Sequence, residues 1–306
     1  FANSLKLRLA MRCRAVYDGA QKLAEEAVNN PYGVLEDNAD NAVMQTVGAL
    51  SFTYNNPFYN IYSPEGYNED RMGASMDAYL NGFADPRLPK FFAKAKGDVY
   101  RGLRNGLRNG KDFQGDERLS MPTITRSTPY VWMTAAEVWL LRAEGALFGW
   151  NMGGTPEELY AQGVTTSFEQ YGLADAAETY LTSTAKPSAY PGLGTSTAAE
   201  APSDITPAWD EDATKEKKLE RIITQKWIAI YPLGQEAWSE YRRTGYPKLF
   251  PVVDNLSNGK VNTNVQVRRV PFPASEYVGN RAEVEKAVQL LGGEDTGGTR
   301  LWWDKQ

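Results

Sequence analysis

Residues Thr134 to Gly172 decide the fold, and their sequence is TAAEVWLLRAEGALFGWNMGGTPEELYAQGVTTSFEQYG. Two capping boxes mark helix starts in this stretch, because Thr134 precedes Glu137 by three residues and Thr155 precedes Glu158 in the same way. Apolar side chains then recur at helical spacing, and Gly172 suits a left-handed helix end. The sequence therefore predicts two helices that pack as an antiparallel hairpin, the unit from which helical repeat arrays are stacked.

Helical spacing continues elsewhere, whereas strand patterns are rare. Five further segments have apolar residues at three- and four-residue steps: Leu5 to Ala27, Gly73 to Phe83, Thr214 to Ile230, Gln235 to Arg243 and Arg281 to Leu291. One strand is predicted, from Val265 to Val270, and the segments 32–128 and 183–209 carry mainly loop chemistry. We therefore predict a mainly α fold in which helical pairs are joined by long irregular loops, with little β structure.

Composition excludes several classes of function. The 306 residues include 33 Lys and Arg against 38 Asp and Glu, a net charge of −5, so the chain lacks the basic surface that nucleic acids require. Histidine is absent, which excludes Ser/His/Asp and Cys/His catalysis and His-ligated metals. The single thiol, Cys13, excludes an internal disulfide. We predict no cofactor, no metal ion and no nucleic-acid partner.

Five sequence blocks carry a resemblance to a known family, in the expected order along the chain. They are Asn81 to Pro89, Thr134 to Glu144, Ile223 to Leu249, Arg268 to Glu276 and Leu301 to Asp304. Together they resemble the SusD/RagB family of outer-membrane nutrient-binding lipoproteins. The agreement covers nearly the whole chain, and five blocks in one order make a chance match improbable.

The resemblance implies a fold, a location and partners. It implies one SusD/RagB-like domain over residues 1–306, with tetratricopeptide-like helical pairs and an aromatic loop in 1–182 and a helical and irregular part in 183–306. Family members are lipid-anchored on the extracellular face of the outer membrane of Bacteroidetes-type cells. They close over a SusC-like TonB-dependent transporter and capture oligosaccharides, or peptides in some branches. The N-terminal portion of such a protein, with its signal and lipidated cysteine, is expected to be missing from this sequence.

The segment 51–71 supplies the chemistry that glycan capture needs, since it combines aromatic platforms with polar side chains. The candidate platforms are Tyr54, Phe58, Tyr59, Tyr62 and Tyr67, and the candidate hydrogen-bond partners are Asn55, Asn56, Asn60 and Arg71. For each ring, packing inside the protein is the competing interpretation.

The arginine pairs at 242–243 and 268–269 are predicted to have a structural role. Each pair lies in a family block beside an aromatic residue or a proline, Trp238 and Pro271 respectively. We predict that these guanidinium groups form ion pairs or bond to the backbone rather than contact a ligand. Asp304 is predicted to cap a helix or to form an ion pair.

Two other classes of function remain beside non-catalytic binding. A carboxylate-based hydrolase would need two acidic side chains facing each other across one pocket, but neighbouring acids such as Glu157 and Glu158 point apart on a helix. No catalytic residue is therefore predicted. A tetratricopeptide-like scaffold for a protein partner would instead use an exposed apolar helical face.

Overall fold

The computed structural model describes residues 1–48 and 55–304, in which the chain is mainly helical. The helices are α1 (Ala2–Arg12), α2 (Ala20–Val28), α3 (Pro57–Tyr62), α4 (Ala74–Gly82), α5 (Leu88–Phe91), α6 (Ala135–Leu147), α7 (Pro156–Gln170), α8 (Ala174–Leu181), α9 (Lys215–Ala229), α10 (Gly234–Thr244), α11 (Ala274–Gly279) and α12 (Arg281–Leu291). The strands β1 (Ala42–Met44) and β2 (Tyr130–Met133) pair antiparallel. Long irregular segments join these elements, as predicted. In this described part, no helix is both long enough and apolar enough to span a bilayer.

Helix α6 lies at the centre of the core and packs against α7, α9 and α1. Its residues from Ala135 to Gly145 are buried except Trp139, which is half-buried, so this part of α6 has no solvent-exposed face. Helix α7 approaches closely because Gly163 has no side chain: a Cβ there would lie 2.6 Å from the Cγ atom of Leu140. Helices α6 and α7 thus form the predicted hairpin, and two pairs that the sequence does not predict pack beside it: α8 on α7, and α2 on α1.

The two predicted capping boxes differ in the structure. At α7 the box is complete: the Thr155 hydroxyl accepts from the Glu158 amide at 3.2 Å, and the Glu158 carboxylate accepts from the Thr155 amide at 2.9 Å. Gly172 adopts a φ of 68°, which is the left-handed conformation predicted for it. At α6 only half of the box forms. Thr134 accepts from the amide of Glu137, but the Glu137 carboxylate binds Arg8, 129 residues away, instead.

Two further predictions are wrong in detail. The opening segment is not one helix, because α1 ends at Arg12 and α2 begins at Ala20. The ring of Tyr17 fills the space beside Gly19, where a Cβ would lie 2.6 Å from the ring, and the apolar spacing on both sides conceals this break. Residues 265–270 form no strand: Gln266 has a φ of 60°, which interrupts extended backbone, and no strand pairs with the segment.

A buried ionic cluster joins α1, α6, α9 and α10. The Nζ atom of Lys226 lies 3.6 Å from Glu137, 3.4 Å from Glu236 and 3.3 Å from Glu240. Arg12 of α1 contacts Glu236 at 2.6 Å and Glu240 at 3.3 Å. Each carboxylate therefore has at least one cationic partner, which is the condition under which buried charges are tolerated.

The cluster predicts how stability depends on pH. Burial alone would raise the pKa of Glu236 and of Glu240. Lys226 and Arg12 instead hold the pKa of Glu236 below 4.5. Arg243, Lys226 and Arg12 hold the pKa of Glu240 well below that value. A pKa that is lower in the folded state contributes stability above the unfolded value, and this stability is lost as pH falls through the folded pKa. We therefore expect the free energy of unfolding to fall steadily below about pH 4.5.

Urea unfolding across a pH series measures this dependence. Because the chain has no histidine, we expect the free energy of unfolding to change little between about pH 6 and pH 8. The exposed variant Glu283→Gln is the control, and it should follow the same acid limb as the unmodified chain. An unfolding free energy that stays constant down to about pH 3 would contradict the assignment.

Candidate functional site

Asn56 caps the N-terminus of α3 and holds the segment 55–71 in place. The Oδ1 atom of Asn56 accepts from the Phe58 amide at 3.0 Å, and its Nδ2 group donates to the Thr128 carbonyl at 3.0 Å. Its backbone amide donates to the Arg126 carbonyl at 2.9 Å. Asn55 and Asn56 are both buried. The side chain of Asn56 is already used by its bonds to Phe58 and Thr128. Tyr54 lies outside the described residues.

The aromatic residues of this segment pack in several ways. Phe58 stacks on Tyr130 of β2, with ring centroids 5.6 Å apart. Tyr59 and Tyr62 meet edge to face at 5.8 Å, and the Tyr59 hydroxyl donates to Glu65 at 3.1 Å. Tyr62 is buried, and burial raises the pKa of its hydroxyl to about 12. Tyr62 therefore stays protonated and can donate a hydrogen bond at neutral pH.

Asn60 in α3 and Tyr67 are bonded to each other across the turn that follows this helix. The Asn60 carbonyl accepts from the Tyr67 amide at 2.9 Å, and this bond closes the turn. Tyr67 is 69% exposed, so its ring lies on the surface, where a ligand can reach it.

Arg71 follows this turn, and its guanidinium group is bonded to residues of the turn and next to it. Its Nη2 group donates to Asn68 Oδ1 at 2.6 Å, and its Nη1 group donates to the Asp70 carbonyl at 2.8 Å. Burial lowers the pKa of this guanidinium. Within the described residues its Nε–H group is buried and has no hydrogen-bond partner, so it retains one donor.

A cavity of about 750 Å³, here named the first cavity, brings part of this segment together with the end of the chain. Phe58, Tyr62 and Arg71 line one side. A second part of the lining, here named the aromatic wall, comes from α9, α10 and the segments that follow them; its rings are Trp227, Tyr231, Trp238, Tyr241 and Phe250. The volume falls within the range of small-molecule sites.

Polar side chains complete the first cavity. Its amides are Asn105, Asn255, Asn262 and Gln266, and its charged groups are Asp70, Arg71, Arg104 and Asp254. Two of them are fixed by backbone carbonyl groups: Asn255 donates to Val261 in its own loop at 2.7 Å, and Arg104 donates to Pro251 in a distant segment at 2.8 Å. Two positive and two negative charges leave the cavity close to neutral, which suits an uncharged polar ligand.

Comparison with protein-family models matches residues 1–304 to the SusD-like family, described as Susd and RagB outer membrane lipoprotein. The chain belongs to the SusD-like family. The resemblance inferred from the five sequence blocks is thereby confirmed, and so is the mainly helical fold.

Solved structures of other SusD homologues are similar over the whole chain. A chitin-binding SusD homologue from Flavobacterium johnsoniae is 44% identical, with a TM-score of 0.91, and the match covers 100% of this chain and 63% of that one. A homologue from Bacteroides uniformis is also 44% identical, with a TM-score of 0.93 and coverage of 100% and 64%. One from Bacteroides thetaiotaomicron is 42% identical, with a TM-score of 0.91 and coverage of 100% and 65%.

The SusD-like chain spans slightly less than two thirds of the length of these three homologues, at 63–65%. A comparison with curated proteins gave no match.

Eight of the nine predicted site residues lie in the part of the chain that the structure describes, and they differ in their position relative to the first cavity. Phe58, Tyr62 and Arg71 line it, whereas the other five described residues do not; these are Asn55, Asn56, Tyr59, Asn60 and Tyr67. Within the described residues, no group of three or more Cys, Asp or Glu side chains is placed to hold a metal ion.

Sequence reasoning missed the aromatic wall of this SusD-like chain. Trp238 and Tyr241 lie three residues apart on α10 and share one face of that helix, whereas Trp227 lies on α9 and Tyr231 lies just after its end. Rings at helical spacing are also typical of core packing, so the sequence alone does not assign them to a site. Helical spacing alone does not distinguish a ring that faces the core from one that faces a cavity.

The structural prediction for the arginine pairs holds. Arg243 forms ion pairs with Glu144 and Glu240, and Arg268 pairs with Asp304, where the Nε group donates at 2.7 Å. Arg242 donates to the Arg268 carbonyl at 2.9 Å and lies over the Trp238 ring, 3.7 Å from its centroid. Arg242 thus packs against a ring of the aromatic wall, and neither it nor Arg243 nor Arg268 lines the first cavity.

Proposed function

We propose that this SusD-like chain binds oligosaccharides in the first cavity without cleaving them. The observation that carries the proposal is the lining of the cavity, in which aromatic rings from two parts of the chain are combined with amide groups. Sugar rings present apolar C–H faces and hydroxyl edges, so they match rings and amides at the same time. The chitin-binding homologue, at 44% identity, supports a glycan as the ligand class.

Two carboxyl groups, those of Asp70 and Asp254, line the first cavity, so cleavage is the alternative that the experiment below tests. A glycosidase needs a general acid whose pKa is raised, facing a second carboxylate across the cleft. Among the carboxyl groups of the described residues whose pKa is shifted, only that of Asp77 is raised, and burial is the cause. Asp77 is fixed by the Gly102 amide at 2.7 Å and by Asn81 at 2.6 Å, and it does not line the first cavity.

Calorimetry with a panel of oligosaccharides tests the proposal. The panel holds fragments of chitin, cellulose, xylan, mannan and starch, with a set of short peptides as a parallel arm. We expect at least one glycan to bind, and Trp238→Ala to weaken that binding about tenfold, because a stacking ring is removed from the wall. Chromatography of the recovered glycan should show no shortened product.

The matched control is Trp132→Ala. Trp132 is 56% exposed on β2 and lies outside the first cavity, so the same substitution there should leave glycan affinity unchanged. Circular dichroism verifies that both variants fold. Binding of peptides and of no glycan would contradict the proposal, as would equal losses in the two variants or the release of shortened glycan.

We further propose that the chain delivers its glycan to a SusC-like TonB-dependent transporter at the outer membrane. This proposal rests on family membership, because members are outer-membrane lipoproteins. Co-expression with the transporter and affinity capture from solubilised membranes tests it. We expect the transporter to be recovered with the chain, and its absence from the captured material under mild detergent would contradict delivery.

A further inference from the structure

A second cavity, of about 440 Å³, adjoins the first cavity. Phe58, Ile124, Tyr231 and Pro232 line both cavities, so the two cavities share part of their walls. The remaining wall of the second cavity comes from elements that the first cavity does not use, namely β1, β2, α5 and the end of α7. The two spaces are therefore adjacent but are built from different parts of the chain.

The second cavity contains a buried polar atom that has no partner. Gln170, the last residue of α7, lines the cavity, and its Oε1 atom is buried without a hydrogen bond from any described residue. A buried acceptor without a donor is unfavourable, and such atoms in folded proteins are normally paired with protein, water or ligand. The amide thus offers an acceptor to a donor that enters the cavity.

A cation lies on the rim of the same cavity. Lys90 of α5 is exposed, and its Nζ group forms no ion pair within the described residues. Nearby lysines differ, since Lys94 pairs with Asp98 and Lys96 pairs with Glu117. Lys90 therefore keeps its three donors for a ligand or water.

Aromatic rings complete the second cavity. Tyr130 of β2 is half-buried and stacks on Phe58, and Tyr171 packs edge to face on Phe91 at 5.1 Å. Burial raises the pKa of the Tyr171 hydroxyl to about 12, so this ring is neutral at physiological pH. Rings, one acceptor and one flexible donor form the set that binds a polyhydroxylated, uncharged unit.

We infer that the second cavity is a separate sugar subsite for a further unit of the oligosaccharide that occupies the first cavity. In it, a sugar hydroxyl donates to Gln170 Oε1, another accepts from Lys90 Nζ, and the sugar ring packs against Tyr130. This inference rests on the proposed function. Because the cavities are adjacent, it implies that affinity increases with chain length until both cavities are filled.

The test compares a short and a long oligosaccharide of the glycan that the panel identifies. Gln170→Leu keeps the shape of the side chain and removes the acceptor, and we expect it to weaken the long oligosaccharide about tenfold while the short one is unchanged. Lys90→Met, at an exposed position that does not affect folding, should show the same selectivity for length with a smaller effect.

Each of the two variants has a matched control, one on α7 and one just after α5. Gln162→Leu makes the identical change on α7, at an exposed residue that lines neither cavity, and Lys94→Met removes a lysine paired with Asp98; neither should alter affinity. If Gln170→Leu and Lys90→Met leave the affinity for both lengths unchanged, the second subsite is overturned. If Trp238→Ala nevertheless weakens binding, the proposed function stands alone, whereas a chain that binds no glycan removes both.

Discussion

Arg243→Met is expected to lower the free energy of unfolding by about 3–5 kcal/mol, among the largest effects of any single substitution in this chain. Arg243 is buried between two carboxylates. Its Nη1 and Nη2 groups donate to Glu144 of α6 at 2.6 and 2.7 Å, and its Nε and Nη2 groups donate to Glu240 at 3.1 and 2.5 Å. The guanidinium thus joins α6 to α10, and both carboxylates are inaccessible to water.

The cost arises from the charges that Arg243→Met leaves behind. Glu144 would keep only Arg14, whose Nε atom lies 3.3 Å away, and Glu240 would keep Lys226 and Arg12, also at 3.3 Å. Methionine fills a similar volume, so the loss reflects uncompensated charge rather than a void.

Urea unfolding followed by tryptophan fluorescence measures the effect. Arg281→Met removes an exposed arginine paired with Glu285 four residues along α12, and it should leave the free energy of unfolding nearly unchanged. A loss below about 1 kcal/mol for Arg243→Met would show that the remaining cations satisfy both carboxylates.

The helices that the sequence predicts well are those whose ends are set locally. The Thr155 cap, Glu158 and the left-handed Gly172 lie in one stretch, so α7 could be bounded from sequence alone. The half-formed box at α6 shows the limit. Glu137 has the right spacing, but its carboxylate binds Arg8 from the opening helix, and that contact depends on tertiary packing.

For the site, the sequence predicts one wall of the first cavity and misses the other. Phe58, Tyr62 and Arg71 belong to a segment whose composition already suggested recognition, and they do line the cavity. Trp227 and Trp238 come from helices more than 150 residues further along, where rings at helical spacing are most often core residues. Which face of a helix meets a cavity is decided by how the helices pack together, and no local pattern records it.

The second of the largest expected effects concerns Arg87, which is buried where four parts of the chain meet. Its Nε and Nη2 groups donate to Asp85 at 3.0 and 2.7 Å, its Nη1 group donates to Ser167 of α7 at 2.9 Å, and its Nη2 group donates to Gln225 of α9 at 2.9 Å. The guanidinium also lies near the faces of two rings, 4.7 Å from the Phe168 centroid and 5.5 Å from that of Tyr180.

Arg87→Met is expected to lower the free energy of unfolding by about 3–5 kcal/mol. The carboxylate of Asp85 would stay buried, with only the backbone amide of residue 87 at 2.9 Å to compensate its charge, and Ser167 would lose the donor at its hydroxyl. Urea unfolding of the purified variant gives the loss directly.

A double-variant cycle separates the charge from the packing around it. If the unpaired carboxylate causes most of the loss, adding Asp85→Asn to Arg87→Met should recover more than about 1 kcal/mol, because a neutral amide needs no cation beside it. Asp85→Asn alone should destabilise, since it leaves the guanidinium buried without its counter-ion. Strictly additive losses in the double variant would instead show that Arg87 stabilises the fold through its contacts with Phe168, Tyr180 and Gln225, and not through its charge.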